Sequence, residues 1–173
     1  MINNVPRWLQ LAVEFDGDNL KPIPQPSQIL NDNGISVVFR GAYADGDGII
    51  FKRSIPYLTE NEWYCLDTLR RTGFVPQALR WDKYTIQIQD LGQSEHITNR
   101  DLFMSYKYDL LDTLQRYGIK HGDLTTANVI VKNNHPFVID WAESRWGSDP
   151  RPQKRPEGDR YWIENTWEML LNE

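Results

Sequence analysis

Asp123, Asn128 and Asp140 lie in the stretch IKHGDLTTANVIVKNNHPFVIDWAE, residues 119–143, and their types and spacing suit phosphoryl transfer. Asn128 follows Asp123 by five residues. An apolar run, Val129-Ile130-Val131, a polar turn, Lys132-Asn133-Asn134-His135, and a second apolar run over residues 136–139 separate Asn128 from Asp140. Arms of similar length joined by a short turn predict a hairpin. Such a hairpin returns Asp140 to the neighbourhood of Asn128 and leaves Asp123 on the loop entering the first arm. Two oxygen ligands are what a hard cation such as Mg²⁺ takes, and a further carboxylate supplies a base for an attacking hydroxyl. The plainer reading is an ordinary polar turn followed by an ordinary hairpin. Three polar positions and two apolar runs matching at fixed spacing favour the chemical one.

Several elements must position these residues. Residues 100–117 carry apolar Phe103, Tyr106, Leu110, Leu114 and Tyr117 along one stripe of an amphipathic helix, which Gly118 stops just before His121. Upstream, Ile29-Leu30, a turn at Asn31-Asp32-Asn33-Gly34 and residues 35–39 read as a strand pair. A second turn, Ala44-Asp45-Gly46-Asp47-Gly48, leads to a third strand over residues 49–53. Residues 58–71 read as a helix ending ahead of Gly73, and Thr59 with Glu62 fits the S/T-x-x-E capping box. Two more strands are predicted over residues 74–79 and 84–89, and a last helix over residues 160–171.

His121-Gly122-Asp123, Asn128 and Asp140 resemble the catalytic and metal loops of the protein-kinase-like superfamily, in which H-x-D-x-x-x-x-N precedes an aspartate at a strand end. HGDLTTAN is especially similar to the small atypical kinase of the KEOPS complex, and HGD followed by IDW resembles aminoglycoside and choline phosphotransferases. The resemblance implies an α+β, minimal bilobal kinase-like fold. Its parts would be an N-terminal extension (1–25), an antiparallel-sheet small lobe (26–92) and a truncated helical large lobe (93–173).

The same resemblance implies ATP and Mg²⁺ as cofactors, with Asp123 and Lys52 catalytic and Asn128 and Asp140 holding the metal. LNDNGISVVFRG resembles the glycine loop over ATP, with Asn31, Asn33 and Ser36 at glycine positions and Val38 at the conserved valine of that pattern. Asn tolerates positive φ better than most residues, whereas Ser36 substitutes poorly for glycine. Lys52 falls where the small-lobe lysine holds the α- and β-phosphates. Glu62 is either a helix cap or the carboxylate partner of Lys52, with Glu60 as the alternative partner. Gln89-Asp90-Leu91-Gly92 resembles the hinge of small-molecule phosphotransferases, so Ile88 would guard the pocket and the backbone of Gln89 and Leu91 would meet adenine. His121 is expected to support the loop rather than act as a base. Asp159 reads equally as a helix N-cap or as a brace for the catalytic-loop backbone.

Composition narrows the function classes. A chain of 173 residues, 40% hydrophobic and 25% charged, with no secretory signal and no long apolar run, reads as a globular cytoplasmic protein without a membrane segment. The one cysteine, Cys65, excludes a disulfide framework and sits in an apolar helical pattern as a buried thiol. Most of the seven tryptophans are expected in packing roles. A net charge of −5 argues against broad nucleic-acid binding, although Arg145, Arg151, Lys154, Arg155 and Arg160 form either a solvated loop or an anion site. Thr125 stands where serine/threonine protein kinases carry a lysine two residues past the aspartate, which favours an atypical or small-molecule kinase. The phosphoryl acceptor would be a protein or a small molecule, and a partner chain could complete the short large lobe. The competing readings are an ATPase serving a partner complex and a nucleotide-binding pseudokinase without turnover.

Overall fold

A computed structural model describes residues 25–42, 48–147, 149 and 157–172 of the chain. The expected N-terminal extension up to residue 24, most of the turn at 44–48, and Arg151, Lys154 and Arg155 lie outside the described residues. The chain divides into two compact units, residues 1–60 with 78–90, and residues 61–77 with 91–173. The described residues are α+β, as expected, and contain no helix long and apolar enough to cross a membrane.

The first unit holds a five-stranded antiparallel sheet: β1 (Gln25–Asp32), β2 (Val37–Ala42), β3 (Gly48–Arg53), β4 (Ala78–Trp81) and β5 (Thr85–Gln89), in the order β1-β2-β3-β5-β4. Alternation decides its two faces, since successive side chains point to opposite sides. Phe39 pairs with Phe51 and their rings stack at 4.8 Å; with Val37 and Ile49 they form a closed apolar face. The β1–β2 turn occupies residues 33–36, two positions later than the spacing suggests, because Asn31 and Asp32 still pair with Val38 and Val37. Asn33 closes that turn by accepting from the backbone N–H of Ile35 and Ser36.

Helix α1 (Pro56–Leu69) opens with proline, whose missing N–H costs nothing in the first turn. The start at Pro56 corrects the capping box, because Thr59 and Glu62 fall inside the helix. Thr59 Oγ1 instead lies 3.1 Å from the Pro56 carbonyl and 3.0 Å from the Lys83 carbonyl. Leu69 ends the helix by accepting from the N–H and the hydroxyl of Thr72, four residues ahead of Gly73. The strand predicted over residues 74–79 begins only at Ala78. Phe74 and Val75 are buried in the second unit, where the Phe74 carbonyl accepts from Val138 N–H at 2.8 Å.

In the second unit α2 (Arg100–Tyr117) has the predicted bounds. Asn99 caps its first turn by accepting from Leu102 N–H, and Gly118 takes the left-handed conformation, φ 65°, at its end. Phe103, Leu110 and Leu114 are buried, whereas Tyr117 is 40% exposed. The chain then forms β6 (Ile119–Lys120), the predicted hairpin β7 (Val129–Lys132) and β8 (His135–Val138), and β9 (Arg145–Trp146). β9 pairs with β6 across Ile119–Trp146 and Lys120–Arg145, a ladder too short to read from periodicity. Helix α3 (Asp159–Thr166) tightens into a 3₁₀ turn (Trp167–Leu171), so the predicted final helix is only partly α.

At Gly118 an added Cβ would meet nothing within 4 Å, so its left-handed φ is the whole constraint. Gly118→Ala should therefore lower stability by about 1 kcal/mol through backbone strain alone. Urea unfolding should show that loss with an unchanged slope.

Candidate active site

The hairpin β7–β8 turns through Asn133 and Asn134, both left-handed at φ 53° and 64°, the combination a two-residue type I′ turn needs. Its ladder pairs Val129 with Val138 and Lys132 with His135. One step beyond, Ile139 N–H donates to the Asn128 carbonyl at 3.0 Å. The predicted return of Asp140 to Asn128 is thus formed by backbone register. Asn128 Nδ2 donates to the Asp123 carbonyl at 2.8 Å and lies 3.3 Å from the Asp123 carboxylate. Asp123, Asn128 and Asp140 accordingly share one end of the hairpin, with Asp123 and Asn128 half-buried and Asp140 exposed.

The segment after the hinge sequence ties this hairpin down. Ser94 Oγ accepts from Val131 N–H, Glu95 N–H donates to the Val131 carbonyl, and the Glu95 carboxylate accepts from Asn133 N–H and pairs with Lys132. Those partners, the Asn133 bond foremost, hold the Glu95 carboxyl below its usual range. The Asn134 side-chain oxygen accepts from Thr98 and Asn99 N–H, which joins the turn to the start of α2.

His121 is 2% exposed and supports the loop, as expected. Its Nδ1 accepts from Asp123 N–H at 3.2 Å, so the proton sits on Nε2, which donates to the Ile139 carbonyl at 2.9 Å. Burial lowers the His121 pKa, against the opposing pull of Asp159, the Ile139 carbonyl, Asp140 and Asp123. The Asp159 carboxylate accepts from His121 N–H at 2.7 Å and Gly122 N–H at 2.8 Å, while Gly158 holds the cap position of α3. Of its two expected roles, Asp159 takes that of brace.

Asp140 is left-handed at φ 64°, a conformation uncommon for a non-glycine residue, though aspartate tolerates it better than most. After it, Trp141 is fully buried and its indole N–H donates to the Val138 carbonyl at 2.9 Å. Glu62 is 2% exposed, and its Oε1 accepts from Trp141 N–H at 3.3 Å. Glu62 thus holds the segment after Asp140 within the second unit, while Lys52 and the exposed Glu60 belong to the first. Cys65 is buried near Glu62 and Ser144. Burial pushes its thiol up to about 12, a hydrogen bond with Ser144 pulls down, and the Glu62 charge adds to the rise, so it is no nucleophile at neutral pH.

In the first unit, register places Val38, Lys52 and Ile86 side by side, with Ile50 opposite Ile88 on the same face. Lys52 is only 8% exposed, unlike an ordinary strand lysine. Asn31 sits opposite Val38; Asn33 and Ser36 lie in the turn, where Ser36 Oγ donates to the Arg53 carbonyl. Gln89 pairs with Ile49 and so faces the opposite side of the sheet from Ile88. Leu91 begins the second unit's next segment, after Asp90, whose carboxylate takes the Arg40 guanidinium in a bidentate pair. Arg145 folds back to donate to the Glu143 and Ser144 carbonyls, and Arg160 pairs with Glu164.

The donor set suits a Mg²⁺–nucleotide. Asn128 commits its amide nitrogen to Asp123, so its side-chain oxygen is the atom that could bind a cation. Among the described residues no group of three or more His, Cys, Asp or Glu is gathered to hold a metal by itself. Mg²⁺ commonly takes one or two protein oxygens and completes its shell with phosphate and water.

With burial lowering the folded His121 pKa, its contribution to stability is complete above about pH 6.5 and is lost as pH falls below that value. Denaturant titrations from pH 8 to 5 should show a steeper acid loss for the wild type than for His121→Asn.

Comparison with known proteins gives two matches. The APH phosphotransferase enzyme family matches residues 65–148. The RIO-type serine/threonine-protein kinase Rio2 of Methanocaldococcus jannaschii is 24% identical over 144 residues, covering 76% of this chain and 51% of that protein. The chain thus spans about half the length of the curated relative it matches. Both matches support a phosphotransferase or kinase function. The hairpin geometry and both matches support a protein-kinase-like superfamily member, and the described residues are consistent with a small α+β kinase-like fold.

Proposed function

We propose that this chain is an ATP- and Mg²⁺-dependent phosphotransferase, an atypical kinase that moves the γ-phosphate of ATP to a hydroxyl of a protein or small molecule. The observation that carries the reading is the hydrogen-bonded path from Asp123 through Asn128 to Ile139, which brings a base candidate and two oxygen ligands to one hairpin end. The family matches support the reaction class.

Asp123 orients the acceptor hydroxyl and takes its proton as the oxygen attacks the γ-phosphorus and ADP leaves. Asn128 donates to Asp123 and so holds that carboxylate in place, while its own oxygen and the Asp140 carboxylate hold Mg²⁺. When bound, Mg²⁺ neutralises phosphate charge during transfer. Lys52 acts as a point charge on the α- and β-phosphates, a role its burial favours. The turn bearing Asn33 and Ser36, with Asn31 and Val38 on the strands beside it, covers the nucleotide. Ile88, Gln89 and Leu91 meet the adenine. In this reading residues 26–92 form a small lobe and residues 93–173 a large one. Thr125, in place of a γ-phosphate lysine, favours an atypical kinase.

Asp140→Asn should reduce Mg²⁺-dependent phosphate release from ATP by about a hundredfold or more; wild-type turnover would remove the metal assignment. Asp123→Asn should lower kcat by about a hundredfold or more while nucleotide affinity is kept, as measured by calorimetry. Lost nucleotide binding would instead make Asp123 structural.

A further inference from the structure

We propose that Asn61, on α1, is a positioning residue that sets the conformation of the metal loop and, through it, the affinity of Asp140 for a divalent cation. The inference rests on Asp140 being a metal ligand. Asn61 Nδ2 lies 2.9 Å from the Ala142 carbonyl, 3.0 Å from that of Ser144 and 3.4 Å from that of Trp141. Three carbonyls thus converge on one amide group that has two hydrogens to give. Ala142 is 5% exposed and Ser144 fully buried, so water is a poor substitute for this donor. Asn is also a weak helix former, and an interior helical position has better candidates where packing is the only demand.

The arrangement brackets Asp140. Before it, Ile139 is held on both polar groups, its N–H by the Asn128 carbonyl and its carbonyl by His121 Nε2. After it, Glu62 takes the N–H of Trp141 and Asn61 takes the carbonyls that follow. Between these anchors Asp140 stands at φ 64°, and release of one side widens the range of backbone angles open to it. Loss of the Asn61 donors frees the C-terminal side, and the carboxylate then samples orientations that miss the cation. Groups that orient a ligand in this way commonly alter metal affinity by about 10–100-fold.

The decisive experiment is a Mn²⁺ titration in the presence of ATP, followed by electron paramagnetic resonance, on wild type, Asn61→Asp, Asn61→Ser and Asp140→Asn. Asn61→Asp keeps the shape and removes the donors, while Asn61→Ser keeps one donor should the aspartate variant fail to fold. Both are expected to weaken Mn²⁺ binding, by about tenfold for Asn61→Asp and less for Asn61→Ser, with metal-free ATP binding unchanged. Wild-type Mn²⁺ affinity in the Asn61 variants, alongside its loss in Asp140→Asn, would overturn the inference and leave the metal reading intact. A lower melting temperature with unchanged Mn²⁺ affinity would also overturn it, since that is the mark of a purely structural contact. Wild-type Mn²⁺ affinity in Asp140→Asn would remove the metal reading itself, and the inference with it.

Discussion

The backbone bond from Ile139 N–H to the Asn128 carbonyl is the contact on which the grouping of Asp123, Asn128 and Asp140 depends. It is the last rung of a hairpin whose register is set at the other end by two left-handed asparagines. A slip of one residue in that ladder would turn every side chain to the opposite face and carry Asp140 away from Asn128. The pairing therefore has to be enforced from outside, and it is. Ser94 and Glu95 bond the backbone of β7, Glu95 and Asn134 hold the turn, and Phe74 accepts from the backbone of β8. The precision of the aspartate pair is inherited from these surrounding bonds.

Buried polar groups do the remaining work, and several of them bond partners far away in sequence. His121 is kept neutral by burial and spans from the Asp123 amide to the Ile139 carbonyl, linking both arms of the site through one ring. Asp159 holds the amides of His121 and Gly122, which places the start of α3 directly beneath the loop. The indole of Trp167 donates to the Leu124 carbonyl at 3.1 Å, so the terminal 3₁₀ turn braces the same loop from another side. A charge-assisted or buried bond of this kind costs more to break than to make, because the stranded partner cannot reach water. The loop is thereby held as one arrangement.

Much of this could be read from residues alone. Asn133-Asn134 between two apolar runs announced the tight turn, because asparagine tolerates the left-handed basin. Gly118 announced the end of α2 for a related reason, and the stripe from Phe103 to Leu114 announced its buried face. Local chemistry was less reliable where a second signal competed. Thr59 and Glu62 imitate a capping box, but Pro56 starts the helix earlier and moves both residues into its interior. Phe74 and Val75 read as strand residues by type, yet they pack as an irregular buried segment with the hairpin.

The sequence by itself determined the hairpin, the helix that leads into it and the spacing of Asp123, Asn128 and Asp140. Those features rest on local conformational preference and periodicity, which act between neighbours in the chain. Only the tertiary structure decided which buried side chains hold the loop. Glu62 lies 79 residues from Trp141 and Asp159 lies 37 from Gly122. Asn61 reaches carbonyls up to 83 residues away. No local pattern encodes such pairs, because a buried carbonyl or amide accepts any correctly placed partner, and placement is a property of the folded chain.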